Sequence, residues 1–171
     1  MTQTLSTKSV EKSASPFSTI LLAGLLAGFL DGAAASVSYY INTGNNPTRV
    51  FQYIASAVFG KQAYSGGMGM VVWGLVFHFV IALAFAAVFF VVYPVLFRII
   101  KNRIVIGVVY GLMVWVIMSL VVVPLTKAAQ FAFNLQAAII GMLILVFMVG
   151  IPIALIVHRY FAIRKASLVR I

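Results

Sequence analysis

Cysteine is absent from this 171-residue chain, which excludes disulfides, thiolate metal ligation and cysteine nucleophiles together. Acidic residues are almost absent too. Glu11 and Asp31 stand alone against twelve lysines and arginines, and histidine occurs only at His78 and His158. Hydrolysis, phosphoryl transfer and metal chemistry each need several converging acids, bases or ligands. With so few of them, and no nucleotide-binding loop or metal motif, the expectation is a protein that is not an enzyme, holds no metal and uses no cofactor. Charged residues of both signs make up 8% of the chain, against roughly 25% in soluble domains.

What fills the chain instead is apolar. Hydrophobic residues reach 64% and the mean hydropathy is +1.14, more apolar surface than a soluble fold can hide. Four segments are long enough to cross a bilayer: 18–41, 68–97, 104–125 and 136–158. The expected fold is therefore all-α, a polytopic membrane protein built as one four-transmembrane-helix bundle over residues 18–160. It is flanked by a disordered tail over 1–17 and a basic tail over 161–171. Val37, Tyr39, Tyr40 and Ile41 argue against a second reading, in which Lys8, Lys12, the apolar run from Ile20 to Leu30 and Ala33-Ala34-Ala35 imitate a cleaved signal peptide.

The net charge of +10 is unevenly placed. Lys8, Lys12, Arg98, Lys101, Arg103, Arg159, Arg164, Lys165 and Arg170 fall on one side of the four segments, and only Arg49, Lys61 and Lys127 on the other. By the positive-inside rule both termini are cytoplasmic. The expected partners of these charges are anionic lipid headgroups rather than nucleic acid, because no soluble binding module accompanies them.

Asp31 lies within the first apolar segment, where a carboxylate is costly unless protonated, paired or wetted. Gly24, Gly28, Gly32 and Ser36 recur there at four-residue steps, a small-residue ladder that lets another helix approach closely. On a helical projection Gly24, Ala27, Gly28, Asp31, Ala35 and Ser38 share one face, and Leu22, Leu26, Phe29, Leu30, Ala33 and Val37 the opposite one. The leucine face is expected to meet lipid. Gly107 and Gly111 open the third segment in the same way and from the same side, so the first and third segments are expected to meet there.

His78 is the partner sought for Asp31. Measured along ideal helices the two fall near one depth, although counting back from the cytoplasmic end of the long second segment moves His78 to the outer surface. Two readings of the pair stay open. In one, Asp31 and His78 form a proton-titrating couple; in the other they fix the register of two helices and nothing moves through them.

Pro94 and Pro152 lie inside the second and fourth segments, where a lost backbone donor predicts helix kinks, and the bend in the fourth is expected near Gly150. Trp115 and Ser119 in the third are candidates for the bundle interior. In the long outer connection, Pro47 precedes a helical pattern in which Arg49, Gln52 and Ser56 oppose Val50, Phe51, Ile54, Val58 and Phe59. A short helix lying in the outer interface is expected, with a re-entrant segment as the alternative. Each half of the chain also pairs a GxxxG segment with a proline-bearing one, the pattern of a parallel two-helix duplication.

Gly24-Leu25-Leu26-Ala27-Gly28, His78, Tyr93-Pro94, and Gly107-x-x-x-Gly111 leading to Pro124 together resemble the four-span bacterial inner-membrane proteins typified by YagU, chiefly over residues 70–125. The outer connection differs from that group, and the third segment is less polar, with Ser119 in it. The resemblance implies four helices and a bacterial inner-membrane location, and it carries no activity or catalytic residue with it. Two functions remain from the residues themselves. One is a small proton-linked transporter or ion-conducting homo-oligomer centred on Asp31 and His78; the other is a structural or accessory subunit packed against a larger membrane-protein partner.

Overall fold

The computed structural model of the protein describes residues 15–128 and 134–169; most of the expected N-terminal tail, and the final basic residue, lie outside them. Every regular element among the described residues is helical. Helix α1 spans Pro16–Thr43, α2 Arg49–Phe59, α3 Gly67–Ile100, α4 Arg103–Ile117, α5 Leu135–Ile144 and α6 Ile151–Val169. A π turn at Met118–Val122 and a 3-10 turn at Val123–Leu125 prolong α4, and a π-helical stretch at Leu145–Gly150 joins α5 to α6. Four continuous helical runs are thereby long and apolar enough to cross a membrane: Pro16–Thr43, Gly67–Ile100, Arg103–Leu125 and Leu135–Ser167. These are the first to fourth spans of a multi-pass membrane protein.

Local chemistry sets the helix ends. Ser15 caps α1 in a reciprocal capping box with Ser18, and Pro16 occupies the first turn, where its missing N–H costs nothing. Gly44 ends the same helix in the left-handed conformation at φ 67°. Lys101 takes that conformation after α3, and Asn102 immediately caps α4 by accepting from the Ile104 and Val105 amides. A two-residue break thus turns the chain between antiparallel spans.

The two π segments have a shared cause. Pro124 and Pro152 cannot donate to the carbonyl four residues back, and their rings crowd it. Just before each, the ladder slips to five-residue spacing: Val123 N–H bonds the Met118 carbonyl, and Ile151 N–H bonds the Val146 carbonyl. Widening the helix accommodates the proline without breaking the span. Pro94, by contrast, sits inside an uninterrupted α3.

The spans pack as two glycine-seamed pairs, which corrects the expectation that the first and third meet at their GxxxG motifs. A methyl at Gly24 would lie 2.7 Å from Leu83 Cδ2, one at Gly28 2.9 Å from Phe79 Cδ1, and one at Gly32 3.1 Å from His78 Nε2. The ladder of α1 therefore seats α3. Ser36, one turn beyond, is half-buried. Gly107 and Gly111 instead face the fourth span, where their added methyls would lie 2.9 Å from Ile151 Cα and 2.6 Å from Val146 Cα, and Gly150 completes the seam against Gly107. Glycine on one side of each seam lets the facing backbone or side chain come close, because apolar side chains gain little by leaving lipid. Two helices equally rich in glycine have no need to seek each other.

Leu22 and Phe29 on the outer face of α1 are 59% and 65% exposed, while Ala23 and Ala27 are fully buried. Towards the arginine-bearing end, Phe89, Tyr93, Ile106, Tyr110, Val149, Ile153 and Val157 form a closed core. Phe89 and Tyr110 meet edge to face with ring centroids 4.6 Å apart, and Tyr110 donates to the Phe85 carbonyl at 2.7 Å. The α2 end of the bundle is built differently.

Candidate functional site

Helix α2 docks on α3 through backbone. A methyl at Gly74 would overlap the Phe51 carbonyl, so glycine is what allows the two helices to touch. Ala55 and Ser56 are fully buried, and Gln52 nearly so, whereas Val58 is 50% exposed. The Arg49–Gln52–Ser56 stripe is thus not a water-facing edge: Ser56 Oγ turns inward and donates to the Tyr53 carbonyl at 2.6 Å, while Arg49 alone stays exposed. Close packing on Gly74 selects the small residues of α2 for its inner face and overrides its amphipathic pattern. Phe59 stacks on Phe77, ring centroids 6.1 Å apart, and the Lys127 amide bonds the Ala57 carbonyl at 3.1 Å, tying α2 to the end of the third span.

Beneath α2 lies a cavity of about 1300 Å³, walled by all four spans. Asp31 comes from α1, His78, Ile81 and Phe85 from α3, Trp115 and Ser119 from the third span, and Gly141, Leu145 and Val149 from the fourth. Arg49, Tyr53 and Ile54 of α2, with Lys61 and Tyr64 of the following turn, line the other end. Phe85, Val114 and Val149 line its floor, where the packed core begins. The hollow is largely apolar, with its polar groups gathered at the α2 end and at one level of the wall.

That level is the Asp31–His78 pair. His78 Nε2 stands 2.8 Å from the Gly28 carbonyl and 4.0 Å from Asp31 Oδ2. A carbonyl only accepts, so Nε2 carries a hydrogen in this geometry. The Asp31 carboxyl group therefore neighbours the imidazole without taking its hydrogen bond. Three features hold the ring: Phe51 and Phe79 approach it edge-on, and Gly32 leaves room for Nε2. Asp31 keeps 20% of its side chain exposed and His78 11%, both towards the cavity they line.

Tyrosines mark the other polar level. Burial, with the neighbouring Tyr64 adding to it, pushes the Tyr53 hydroxyl above its ordinary range, so it remains a neutral phenol. Tyr64 Oη is buried and has no hydrogen-bond partner among the described residues. Among those residues no carboxylate lies within ion-pair distance of Arg49 or Lys61.

A second polar contact occupies the opposite end. Tyr93 Oη and His158 Nδ1 are 2.5 Å apart, within a stack that includes Phe97 and Phe161. The sequence singles out His158 only as the second histidine and does not reveal its partner. No group of three or more potential metal ligands occurs among the described residues.

Sequence reasoning also missed Tyr64, and it read Arg49 and Lys61 only as outer charges. The available signal was the density of phenols and cations in the connection between the first two spans, from Arg49 to Tyr64. No protein-family model matches the chain, and comparison with curated proteins and with solved structures likewise finds no match.

Proposed function

We propose that the protein is a small proton-linked transporter or ion-conducting protein of the bacterial inner membrane, with Asp31 and His78 as its titrating centre. The observation that carries this reading is a titratable pair on the wall of a large cavity that all four spans share. Ionisable groups inside membrane spans are expensive and are retained chiefly on pathways for ions or protons. Nine cations on one side against three on the other favour cytoplasmic termini, so the cavity faces outward and its aromatic floor is the closed gate. The resemblance to YagU-like proteins favours the same membrane. In this arrangement α2 caps the outer interface, resting on α3 above His78.

Protonation of Asp31 or of the free imidazole nitrogen changes the charge on the cavity wall. A cargo or water chain in the cavity feels that change directly, since the surroundings are of low dielectric. The test is proton flux into liposomes loaded with a pH-sensitive dye, under an imposed potential. Flux is expected from the parent and from Leu26→Phe, and at least about ten-fold less from Asp31→Asn or His78→Gln. Flux no greater than in empty liposomes refutes the proposal.

One observation favours the alternative. The 2.8 Å contact between His78 and the Gly28 carbonyl ties two spans together and would by itself explain a histidine here. An accessory subunit, in which the pair only sets register, is the reading to adopt if a larger membrane protein co-purifies stoichiometrically and no flux is seen.

A further inference from the structure

We infer that the cavity receives an acyl chain ending in an anionic headgroup, with the head held by Arg49 and Lys61. This rests on reading the cavity as a working site, and it names the class of molecule that fits. Ligand pockets usually measure roughly 300–1000 Å³, and about 1300 Å³ is available here. A compact polar ion would leave most of that volume facing Ile54, Ile81, Phe85, Met118 and Leu145. A purely apolar guest would make no use of the two exposed cations on the wall.

The polar groups specify the head. Arg49 and Lys61 line the cavity with no carboxylate in reach among the described residues. Tyr64, also on the wall, keeps its hydroxyl buried. A carboxylate or phosphate head complements the two cations, and arginine suits it particularly well. Asp31 is deeper along the wall and repels a second anion, so the charged end belongs at α2 and the chain points to the floor.

A smaller hollow of about 510 Å³ adjoins the cavity between the first and fourth spans and shares Ala35, Tyr39, Val50, Ala137, Gly141 and Ile144 with it, while Asn42, Thr43, Asn134 and Gln136 give it a polar rim.

The test uses Trp115, which lines the cavity, as reporter in a Trp73→Phe background, Trp73 being the other tryptophan. A brominated long-chain fatty acid added to the full chain in phosphatidylcholine vesicles should quench Trp115 saturably. The corresponding brominated alcohol should not. Arg49→Gln and Lys61→Gln should each weaken the acid by about ten-fold, the loss of one charge-assisted hydrogen bond. Arg49→Lys should recover most of the binding, which separates charge from misfolding. Vesicles containing brominated phosphatidylglycerol distinguish the sources: cation-dependent quenching there makes a membrane lipid the ligand, and quenching by the free acid alone makes it a soluble amphiphile. Equal quenching by the alcohol, or unchanged binding in both charge-removed variants, overturns the inference. Proton flux measured on the same vesicles keeps the two readings apart, because intact flux without specific quenching removes the amphiphile and leaves the proton site standing.

Discussion

Replacing Asp31 and His78 singly and together measures whether they act as a pair, and the geometry sets what the measurement should find. Their nearest charged atoms are 4.0 Å apart. Two unit charges at that distance attract by about 4 kcal/mol at an effective dielectric constant near 20. Both side chains keep some exposure to the cavity, which reduces the figure, and the predicted coupling is about 1–3 kcal/mol. The single losses should differ. His78→Gln removes the bond to the Gly28 carbonyl and two aromatic contacts as well as the charge, at a cost of about 2–4 kcal/mol. Asp31→Asn leaves that hydrogen bond intact and should cost about 1–2 kcal/mol. The double variant should lose less than the sum, because each single change strands the other group. Unfolding in mixed micelles titrated with a denaturing detergent gives all four stabilities. Repeating the cycle across pH tests the charge pairing itself, because a Coulomb coupling needs both members charged at once. Losses additive within about 0.5 kcal/mol at every pH refute the charge pairing and leave His78 with its carbonyl bond alone.

Three further predictions follow from the packing and from the charge asymmetry. Gly28→Leu should disrupt the first two spans far more than Leu26→Phe, by at least about 3 kcal/mol, since Gly28 faces Phe79 and Ala82 while Leu26 is 40% exposed; equal tolerance in the same detergent titration rejects the assigned face. Gly150→Ala should destabilise by about 1–3 kcal/mol, because its methyl would meet the Gly107 carbonyl. Gly141→Ala, whose methyl would find only Trp115 Nε1 at 3.7 Å, should be neutral or stabilising by up to about 1 kcal/mol, and a reversed order in thermal denaturation contradicts the seam. Reporter fusions should place Asn45 outside and Asn102 and Ile171 in the cytoplasm, and a periplasm-dependent reporter active at Ile171 rejects the four-span orientation.

Helix existence was legible in this chain because the bilayer imposes it: a long apolar run must satisfy its own backbone, and a helix does so within one segment. The lipid-facing side of α1 was legible for a related reason, since Leu22 and Phe29 are large where Ala23 and Ala27 are small. Partner choice was not legible. A GxxxG motif says that some backbone comes close and says nothing of whose, so Gly28 and Gly107 read alike although one meets Phe79 and the other Ile151. The π segments were half legible, since Pro152 announces a lost bond but not whether the helix bends or widens in response. Helix α2 falls where the pattern places a helix, but the pattern did not say which residues of its polar stripe would be buried. Its polar stripe includes Ser56, which satisfies itself on the Tyr53 carbonyl and can therefore be buried, and the residue that admits it, Gly74, lies on another helix. The candidate site shows the same division. Asp31 and His78 stood out by rarity, whereas Tyr64 is one of seven tyrosines and gains its interest only from where the fold leaves its hydroxyl.

The two glycine seams also bear on why the bundle is hollow at one end and solid at the other. Each seam fastens an antiparallel pair, α1 with α3 and α4 with the fourth span, and such a pair is rigid by itself. What joins the pairs differs along the bundle. Near the arginine-bearing end Phe89, Tyr93, Tyr110 and Val157 fill the space between them, and Tyr110 adds a hydrogen bond across to the Phe85 carbonyl. At the α2 end, among the described residues, Trp115 is the one aromatic that the third and fourth spans bring to the gap, beside Ser119, Ala137 and Gly141, and the cavity is what remains. Two rigid hairpins hinged on an aromatic layer can change their angle without breaking either seam, since the glycine contacts lie within hairpins rather than between them. In the proposed proton-linked cycle the moving surface is consequently the one between the hairpins, where α1 packs along the fourth span and Tyr110 reaches the Phe85 carbonyl, and the Asp31–His78 pair stays whole throughout because both its members belong to the first hairpin.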